Sequence, residues 1–541
     1  MALTIPRRTR SRAAVVDLAD ADARRRLDAG FRAIAQLVLP TLGPFPRMVA
    51  VAPIGSGSPE LLDDGGLIAR RVVQLDDRIA DVGAMFLRSL LWQAREELGD
   101  GVATTCAMFM AAWAEMQTAI AAGCDPVALR ESILAALPRI DDALMAQAHP
   151  IATQDGLRAV ARTLLDDATL AEVVTEAIWV HGAEARYEVR TAWDGHTACT
   201  SLDGAWWTTS VHDNGFLSDT VRHRADLALP AVLVSDLDLD DPSALAPLVA
   251  AIRASGATSA VLIARAMSAE VTRQLLAIAH SGLPIVAVRP PGGSPFEQDE
   301  ILEDIRVLVG GRRFRAVAGE SLARIQPDDL GRVRRVWVER GVLGIAGPTA
   351  DPLARRARIG ELRRQLADAD DAARRRHLRH RLAALLGNSA LIGVAGATSW
   401  EVDRRKAQVT RAIDALRLTL ADGTVPGGGL ALLTARQEIV SCESVLDVEA
   451  RAAERIIARA LAAPTRQLAR NAGIDPARIF ATLETDPEAS IDLRGDGAPV
   501  RDALATIRGA VRIALTGAAQ ATSIDTIVLH RHPTEAGSPH R

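Results

Sequence analysis

Three glycine-containing stretches have the residue types needed to surround an anionic ligand. They are Thr41-Leu42-Gly43-Pro44, Gly99-Asp100-Gly101-Val102-Ala103-Thr104-Thr105 and Gly427-Gly428-Gly429. Glycine lets backbone N–H groups approach phosphate oxygens, a following helix adds the positive end of its dipole, and an aspartate between glycines can hold Mg²⁺. One such stretch alone is typical of a turn before a helix. All three in one chain predict a shared phosphate site.

Helical segments must position these stretches. Directly after the second stretch, residues 106–122 are rich in Ala and Met, and after the third stretch residues 430–439 are rich in Leu and Ala. Apolar residues recur at helical spacing across residues 17–150, where the short run 48–52 predicts a strand, and the helical pattern resumes after residue 414. The stretches therefore open helices of one mainly helical region that the chain leaves and re-enters.

The middle of the chain has a different pattern of apolar residues. Apolar runs at residues 231–234, 260–264 and 284–288 alternate with helical stretches at 242–254 and 269–279. This alternation predicts parallel strands joined by crossover helices. Residues 351–386 are dense in Arg, Asp and Leu and predict a pair of helices broken near residues 367–370, with their charges on a solvated face.

The order of these stretches along the chain and their residues resemble those of the group I chaperonins, the GroEL-type family. Further matches are Leu62-Asp63-Asp64-Gly65, Ala121-Ala122-Gly123-Cys124-Asp125-Pro126 and Asp213-Asn214-Gly215-Phe216-Leu217-Ser218. The resemblance runs from about Asp17 to about Thr526 and implies a multidomain α plus α/β fold. It implies equatorial segments at residues 17–146 and 422–529, intermediate segments at 147–207 and 389–421, and an apical domain at 208–388. Residues 1–16 are expected to be loose or edge-pairing, and residues 530–541 to be a disordered tail.

The same resemblance implies an ATP site with Mg²⁺. Its expected lining residues are Thr41, Leu42, Gly43, Pro44, Asp63, Asp100, Gly101, Val102, Ala103, Thr104, Gly428 and Thr506. Asp100 matches the family's metal-binding aspartate and Asp64 a catalytic aspartate. Thr506 falls where the family has a ribose-side aspartate, with Asp502 as the alternative if the alignment slips.

Several residues depart from the family's pattern. Val102 and Ala103 replace threonines, Asp63 replaces a lysine beside the expected triphosphate, and Arg411 replaces a catalytic aspartate. Arg411 is either an arginine finger on the γ-phosphate or the partner of Asp64 or Asp100 in a degenerate site. We expect weak or absent hydrolysis, and ATP binding stays open.

Expected client contacts lie in the apical domain. The matching rim positions are Phe216, Thr220, Val221, Ala246, Val249 and Leu276, of which Phe216, Val221, Val249 and Leu276 are the predicted client-binding residues. For Val249 and Leu276, a place in the core of amphipathic crossover helices is the alternative. The rim appears shallower and more polar than the family's, because Thr220 and Ala246 replace larger apolar residues.

Composition limits the remaining possibilities. The chain has 541 residues, 48% apolar and 3% aromatic, with a net charge of −4 and Lys406 as its one lysine. It shows no nucleic-acid signature and no apolar run that would span a membrane. We therefore predict a cytoplasmic chaperonin-like protein that forms a ring of itself, heptameric by resemblance, and binds unfolded polypeptides. Co-chaperonin use and mixed rings with a conventional chaperonin paralogue stay open. The alternative is a fully active ATP-dependent foldase.

Overall fold

The computed structural model describes residues 14–18, 20–43, 46–52, 59–165, 167–192, 195–219, 223–339, 341–348, 350–440, 448–485 and 500–529. These residues fall into two compact units. The first unit takes its residues from Met1–Trp179 and Gly396–Arg541, and the second from Val180–Ala395. The finer division into three nested domains stays a prediction.

The first pass of the chain through the first unit is mainly helical. Its elements are β1 (Ala14–Asp17), α1 (Ala21–Val38), β2 (Val49–Val51), β3 (Glu60–Leu62), α2 (Gly65–Arg71), α3 (Arg78–Leu98), α4 (Val102–Ala121), α5 (Pro126–Met145), α6 (Gln154–Leu164) and α7 (Ala168–His181). Asp20 caps the start of α1, and Leu27, Ile34 and Val38 bury the apolar face that the sequence predicted. The predicted strand at residues 48–52 is β2.

The second unit contains three sheets and five α-helices in its described residues. Its elements are β4 (Arg186–Thr191), β5 (Ala198–Asp203), β6 (Ala205–Thr208), β7 (Arg224–Ala228), β8 (Ala231–Ser235), β9 (Asp238–Leu239), α8 (Leu245–Ala254), β10 (Ala260–Ile263), β11 (Ala266–Met267), α9 (Ala269–His280), β12 (Ile285–Val288), α10 (Pro295–Val309), β13 (Arg313–Phe314), β14 (Gly331–Glu339), β15 (Val342–Pro348), α11 (Pro352–Ala367), α12 (Ala372–Leu386) and β16 (Asn388–Val394). A third, very short pairing joins β9 and β11.

The predicted parallel strands are confirmed as β8, β10 and β12, which pair in register with crossover helices α8 and α9 between them. The sheet does not end there, because the antiparallel hairpin β14–β15 and strand β6 extend it in the order β12-β10-β8-β14-β15-β6. The sheet is therefore mixed. The smaller sheet has the order β4-β16-β5.

The predicted helical pair is confirmed as α11 and α12, but the prediction that its charges form a solvated face is wrong for several arginines. Arg381 is 2% exposed and bonds Asp304 with its Nε at 2.6 Å. Arg358 bonds the same carboxylate at 2.9 Å, and Arg374 bonds Glu300 at 2.7 Å. Both acids lie on α10, so these ion pairs fasten the helical pair to α10.

The chain then returns to the first unit through α13 (Ser399–Asp422), β17 (Thr424–Pro426), α14 (Leu430–Val440), α15 (Val448–Asn471), α16 (Pro476–Thr485), β18 (Arg501–Ala503), α17 (Leu504–Thr522) and β19 (Thr526–Leu529). Strand β19 pairs antiparallel with β1, so Ala14 to Val16 follow the edge-pairing expectation. Residues 1–13 and 530–541 lie outside the described residues. Among those described, no helix combines the length and apolar character needed to cross a membrane.

Candidate functional site

The three glycine-containing stretches lie around one cavity of about 520 Å³ in the first unit. The predicted residues that line it are Thr41, Leu42, Gly43, Asp63, Asp64, Asp100, Gly101, Val102, Ala103, Thr104, Arg411 and Gly428. Pro44 lies outside the described residues. The structure thus brings together residues from both passes of the chain through this unit.

The second stretch places the start of α4 at the cavity wall. Gly99 ends α3 and Gly101 precedes α4, both with positive φ values of 72° and 81°. No side chain caps α4 at Gly101, and the first N–H groups of a helix have no partner within it. The N–H groups of Val102 and Ala103 are backbone donors, so losing the family's threonine hydroxyls leaves the backbone donors and the dipole of this helix end in place.

The first stretch is fixed by a side chain from the second passage of the chain through this unit. Asn471, the last residue of α15, donates from Nδ2 to the carbonyls of Leu39 at 2.9 Å and Leu42 at 2.7 Å. The Thr41 hydroxyl donates to the Val38 carbonyl at 2.7 Å. Backbone carbonyls in and before the turn accept all three of these bonds, and the bonds hold Thr41, Leu42 and Gly43 in place.

The third stretch brings a second carboxylate to the cavity. Gly428 and Gly429 have φ values of 68° and 84°, and a Cβ at Gly429 would collide with the Thr465 hydroxyl. The Gly428 N–H donates to Asp502, which lies on β18, the strand paired with β17. Glycine is thus required where the chain passes close to α15 and to Asp502.

Asp502, and not Thr506, occupies the cavity wall. Thr506 is 4% exposed, is absent from the lining, and its Cγ2 lies 2.9 Å from where a Cβ would stand on Gly101. The structure thus places the alternative position, Asp502, in the cavity lining, and a ribose-side role for either residue stays a prediction.

Asp100 lies close enough to Asp502 for its charge to affect the ionisation of Asp502. Desolvation raises the pKa of Asp502 to about 7, and the charge of Asp100 adds to this effect. Asp100 opens to the cavity, but the surrounding walls desolvate its carboxyl group and raise its pKa as well. Two mutually repelling carboxylates are an arrangement that a divalent cation stabilises.

Asp64 accepts hydrogen bonds on both of its oxygens. It caps α2, where its Oδ1 accepts from the N–H groups of Gly66 at 2.8 Å and Leu67 at 3.0 Å. Its Oδ2 accepts from Arg95 Nε at 2.9 Å and Arg411 Nη1 at 2.9 Å. Of the two alternatives for Arg411, pairing with Asp64 is therefore the one that this structure contains.

The charges around Asp64 keep it ionised. Burial would raise the pKa of this 5% exposed side chain, but the positive charges of Arg411 and Arg95 and the bonds to α2 outweigh burial. The net result is a pKa below the ordinary value of an aspartate. Asp64 is thus a permanently charged carboxylate at any pH near neutrality, with both oxygens bonded.

Asp63 is also paired with positively charged side chains. Its carboxylate accepts from Arg404 Nε at 2.8 Å and Gln408 Nε2 at 3.2 Å, and Arg411 Nη2 lies 3.6 Å away. In this structure the negative charge of Asp63 is therefore balanced by arginines of α13. We call Asp63 and Asp64, with their partners Arg95, Arg404 and Arg411, the aspartate clasp.

Arg411 was named from the sequence, but Arg404, Gln408 and Arg95 were missed, although their positions follow a pattern along the chain. Arg404, Gln408 and Arg411 are spaced by four and three residues, which puts them on one face of α13. Arg95 lies in the last turn of α3, four residues before Gly99. Both signals identify the face that meets the cavity, but neither identifies the acid that the arginine contacts.

Helix α6 supplies further cavity residues that were not predicted. Asp155, Arg158 and Arg162 line the cavity and recur at spacings of three and four residues on one face of α6. Arg158 bonds both oxygens of Glu172, at 2.7 and 3.0 Å. The cavity wall therefore carries arginines from α3, α6 and α13.

Mg²⁺ fits this set of donors only together with phosphate oxygens. Among the described residues, no group of three or more His, Cys, Asp or Glu side chains could hold a metal ion. Mg²⁺ typically takes one or two carboxylates, waters and substrate phosphates. Asp100 and Asp502 match that requirement.

The predicted client-binding residues lie in the second unit, most of them partly or fully buried. Phe216 is 4% exposed and belongs to the core under α8 and α9. Val249 and Leu276 are half-buried and pack against that core, as their alternative interpretation expects, whereas Ala246 is exposed. Val221 and Thr220 lie outside the described residues. Client binding by these residues stays a prediction.

Comparison with known proteins gives one family and one fold. A sequence model of the TCP-1/cpn60 chaperonin family matches residues 34–532. Two crystal structures of the chaperonin gp146 from the bacteriophage EL 2 (Pseudomonas aeruginosa), both obtained in the presence of ATP-BeFx, are similar in structure. Their TM-scores are 0.63 and 0.59 at 18% identity, over 96% of this chain and 99% of theirs.

Proposed function

This chain belongs to the TCP-1/cpn60 chaperonin family, and we propose that it holds non-native polypeptides in a ring of its own subunits. The proposed ring is cytoplasmic and heptameric, by resemblance to the GroEL-type chaperonins. Unfolded polypeptides are its proposed partners, and a co-chaperonin and a conventional chaperonin paralogue are further partners that the resemblance allows. The family match and the shared fold support the chaperonin role.

We further propose that the cavity binds a magnesium nucleotide. The start of α4 offers backbone N–H donors, and Asp100 and Asp502 offer carboxylates for the metal. Gly43 and Gly428 let the backbone approach the ligand from two other sides. When bound, ATP supplies a phosphoanhydride bond whose hydrolysis drives the working cycle of an active chaperonin.

The observation that carries our proposal of weak hydrolysis is the bonding of Asp64. Both of its oxygens are occupied, one by two backbone N–H groups and the other by two guanidinium groups. A carboxylate in this state has no oxygen left to orient an attacking water. Its lowered pKa also makes it a poor proton acceptor near neutral pH, and losing such a group typically costs a factor of about 10² to 10⁴ in rate.

A second candidate function is an active ATP-dependent foldase. Arg411 supports it, because its guanidinium lines the cavity and could leave Asp64 to stabilise charge on a phosphate. In that case the clasp would be the resting state of an arginine finger. The two candidates differ in turnover and agree on nucleotide binding.

The test measures Mg-ATP binding by calorimetry and phosphate release by the purified full chain, beside a conventional chaperonin. We expect saturable binding that Asp100→Ala weakens, and release slower by about 10² or more than that of the conventional chaperonin. Asp22→Ala, which removes a 61% exposed carboxylate on α1, is the matched control and should change neither quantity. Turnover at the conventional rate, abolished by Asp100→Ala, would establish the foldase instead.

A further inference from the structure

A serine, a histidine and an asparagine of the second unit form a hydrogen-bonded chain that the proposed function does not use. The Nε2 of His181 lies 3.0 Å from the Oγ of Ser201, and its Nδ1 lies 2.8 Å from the Oδ1 of Asn388. His181 ends α7, Ser201 lies on β5, and Asn388 begins β16. We call these three residues the serine triad. They stand in the order of nucleophile, base and orienting group that covalent catalysis by a serine requires.

The amide of Asn388 fixes the tautomer of the imidazole. Its Nδ2 donates to the backbone carbonyl of His181, and only an N–H group can face a carbonyl oxygen favourably. The Oδ1 of Asn388 must then face Nδ1 of His181, which therefore carries the proton and donates it. In the neutral ring Nε2 is left as the acceptor, so the hydroxyl of Ser201 donates to it. The geometry thus makes His181 a general base for Ser201.

Two further features support the imidazole ring in this role. The rings of Tyr187 and His181 meet edge to face, with centroids 6.5 Å apart, and the Tyr187 hydroxyl donates to the Gly182 carbonyl at 2.7 Å. His181 is also the last residue of α7, where the helix dipole favours a positive charge. The imidazolium that forms when the ring takes the proton of Ser201 is therefore stabilised, although Asn388 is uncharged.

The nucleophile is open to solvent, as an incoming substrate requires. Ser201 is exposed, whereas His181 and Asn388 are half-buried. Among the described strands, β5 pairs only with β16, so its outer edge presents backbone N–H groups that belong to no ladder. Backbone donors of this kind stabilise the oxyanion that forms when a hydroxyl attacks an acyl carbon.

We infer that Ser201 is a nucleophile towards small, uncharged esters, with His181 as its general base and Asn388 as the residue that positions the base. The Oγ of Ser201 forms a bond to the acyl carbon while its proton moves to Nε2 of His181. The bond from the acyl carbon to the leaving oxygen breaks, and that oxygen takes the proton from Nε2. Water then attacks the acyl-serine by the same route, so an ester and water give an acid and an alcohol.

The surroundings of the serine triad set this class of substrate. All three side chains are uncharged before the reaction, so nothing in the triad selects a charged substrate. Val180 precedes His181, Leu386 lies two residues before Asn388, and both are large apolar side chains that are exposed. An amide stabilises an imidazolium less than a carboxylate does, so the ester needs a good leaving group. A short aryl ester meets these conditions.

The same bonds have a simpler interpretation as a structural tie between the end of α7 and the sheet β4-β16-β5. A tie depends on the bonds of Asn388 to His181 but does not make the hydroxyl of Ser201 reactive. It predicts altered stability in variants and no covalent chemistry. Reactivity at Ser201 therefore separates the two interpretations.

The test treats the full chain with a fluorophosphonate probe, which reacts with activated hydroxyl groups, and locates the adduct by mass spectrometry. Hydrolysis of p-nitrophenyl acetate is followed in parallel. We expect one adduct, at Ser201. Ser201→Ala should abolish it and slow ester hydrolysis by about 10², and so should His181→Gln, which leaves the serine without a base. The matched control, Ser243→Ala, removes an exposed serine whose hydroxyl donates to Asp241, and should change neither result.

Asn388→Ala tests the positioning role. Ester hydrolysis by the wild type should rise with pH, because a protonated imidazole cannot accept the proton of Ser201. In Asn388→Ala this rise should move to lower pH, because the imidazolium loses a hydrogen-bond acceptor. A purely structural role would leave the pH profile unchanged.

Three outcomes would overturn the inference, namely no adduct, an adduct at another residue, or equal rates of hydrolysis in Ser201→Ala and Ser243→Ala. Each would leave the serine triad as a structural tie. Thermal melting of every variant checks that the chain is folded, and Ser201→Ala decides alone if His181→Gln unfolds. This inference is independent of nucleotide binding in the cavity.

Discussion

The carboxylate of Asp64 joins three helices of the first unit. It caps α2 and bonds Arg95 from α3 and Arg411 from α13. At 5% exposure, these bonds are shielded from solvent and from salt. A residue that the sequence offered as catalytic therefore has a structural role here, and that role competes with catalysis for the same lone pairs.

We predict that Asp64→Asn destabilises the protein by about 3 kcal/mol at pH 7, because it leaves two guanidinium groups with one neutral acceptor. Asparagine keeps an oxygen for the cap of α2, so the loss reports the ion pairs. The pKa of Asp64 is lowered in the folded state. Its contribution is therefore present above the unfolded pKa of about 4 and is lost as pH falls through the folded value.

Urea unfolding at pH 7 and at pH 3 measures this effect. The difference between wild type and Asp64→Asn should shrink at the lower pH. An equal difference at both values would mean that the carboxylate's charge is not what stabilises the clasp.

Asp502 is predicted to have the opposite effect on stability. Its folded pKa of about 7 lies above the unfolded value, so ionisation favours the unfolded state as pH rises from about 4 to 7. Asp502→Asn should therefore raise the urea midpoint, by an amount that grows across this range and levels off above pH 7. Thr506→Val, four residues on and outside the cavity lining, is the control without this pH dependence. A midpoint gain that is the same at pH 5 and pH 8 would contradict the assignment.

At the scale of elements, α13 shows what the sequence reveals and what it leaves out. The spacing of Arg404, Gln408 and Arg411 identifies one polar face, and the resemblance identifies Arg411 as a departure. Neither one predicts that Asp63 would be compensated, because its partners lie on a helix more than 300 positions away in sequence. Ion pairs between distant elements depend on packing that periodicity does not encode.

The sheet of the second unit gives a similar lesson. Strands β8, β10 and β12 were predictable because each is a short, fully apolar run between helices. The hairpin β14–β15 was not, because β14 mixes four apolar positions with arginines and contains no continuous apolar run at its start. Local composition predicts the buried parallel strands better than the partly exposed antiparallel ones.

Helix α10 provides the third prediction, on stability. Its Asp304 is fully buried and bonds Arg358 and Arg381, so Asp304→Asn should destabilise the protein by about 3 to 5 kcal/mol. The control is Glu184→Gln, which breaks a pair with Arg363 whose side chains are 52% and 54% exposed, and should cost at most about 1 kcal/mol. Thermal melting of the full chain compares the two. Equal shifts would show that burial does not set the strength of these pairs.

At the scale of the whole molecule, the order of short motifs was the informative signal. The residue patterns are helical at both ends of the chain and α/β in the middle, which predicted a chain that leaves one region and returns to it. In the structure, both helical ends belong to one unit. The family could be identified because the glycine-containing stretches occur in the family's order. The exposure of Phe216 could not be predicted, because an aromatic residue in a turn fits a surface and a core equally well.

The fourth prediction concerns the second unit as a folding unit. A fragment of residues Val180–Ala395 should melt cooperatively, because it contains complete sheets and its own cores. The shorter fragment of residues 208–386 lacks β4, β5, β6 and β16, and should melt at a lower temperature. Circular dichroism melts of both fragments test this. A featureless melt of the longer fragment would mean that the unit depends on the rest of the chain.

The central claim is that nucleotide hydrolysis is slow because the aspartate clasp occupies Asp64 and because Arg411 stands in place of the family's aspartate. Removing Arg411 alone therefore leaves Arg95 on Asp64 and the aspartate still missing. The double variant Arg411→Asp with Asp63→Lys restores the family's residue types and keeps the net charge around Asp64 unchanged. Phosphate release from Mg-ATP should rise above wild type by about 10², within the usual range for such a group, whereas Arg411→Ala alone should change it little. A double variant that binds ATP as wild type does and releases phosphate no faster would contradict the claim.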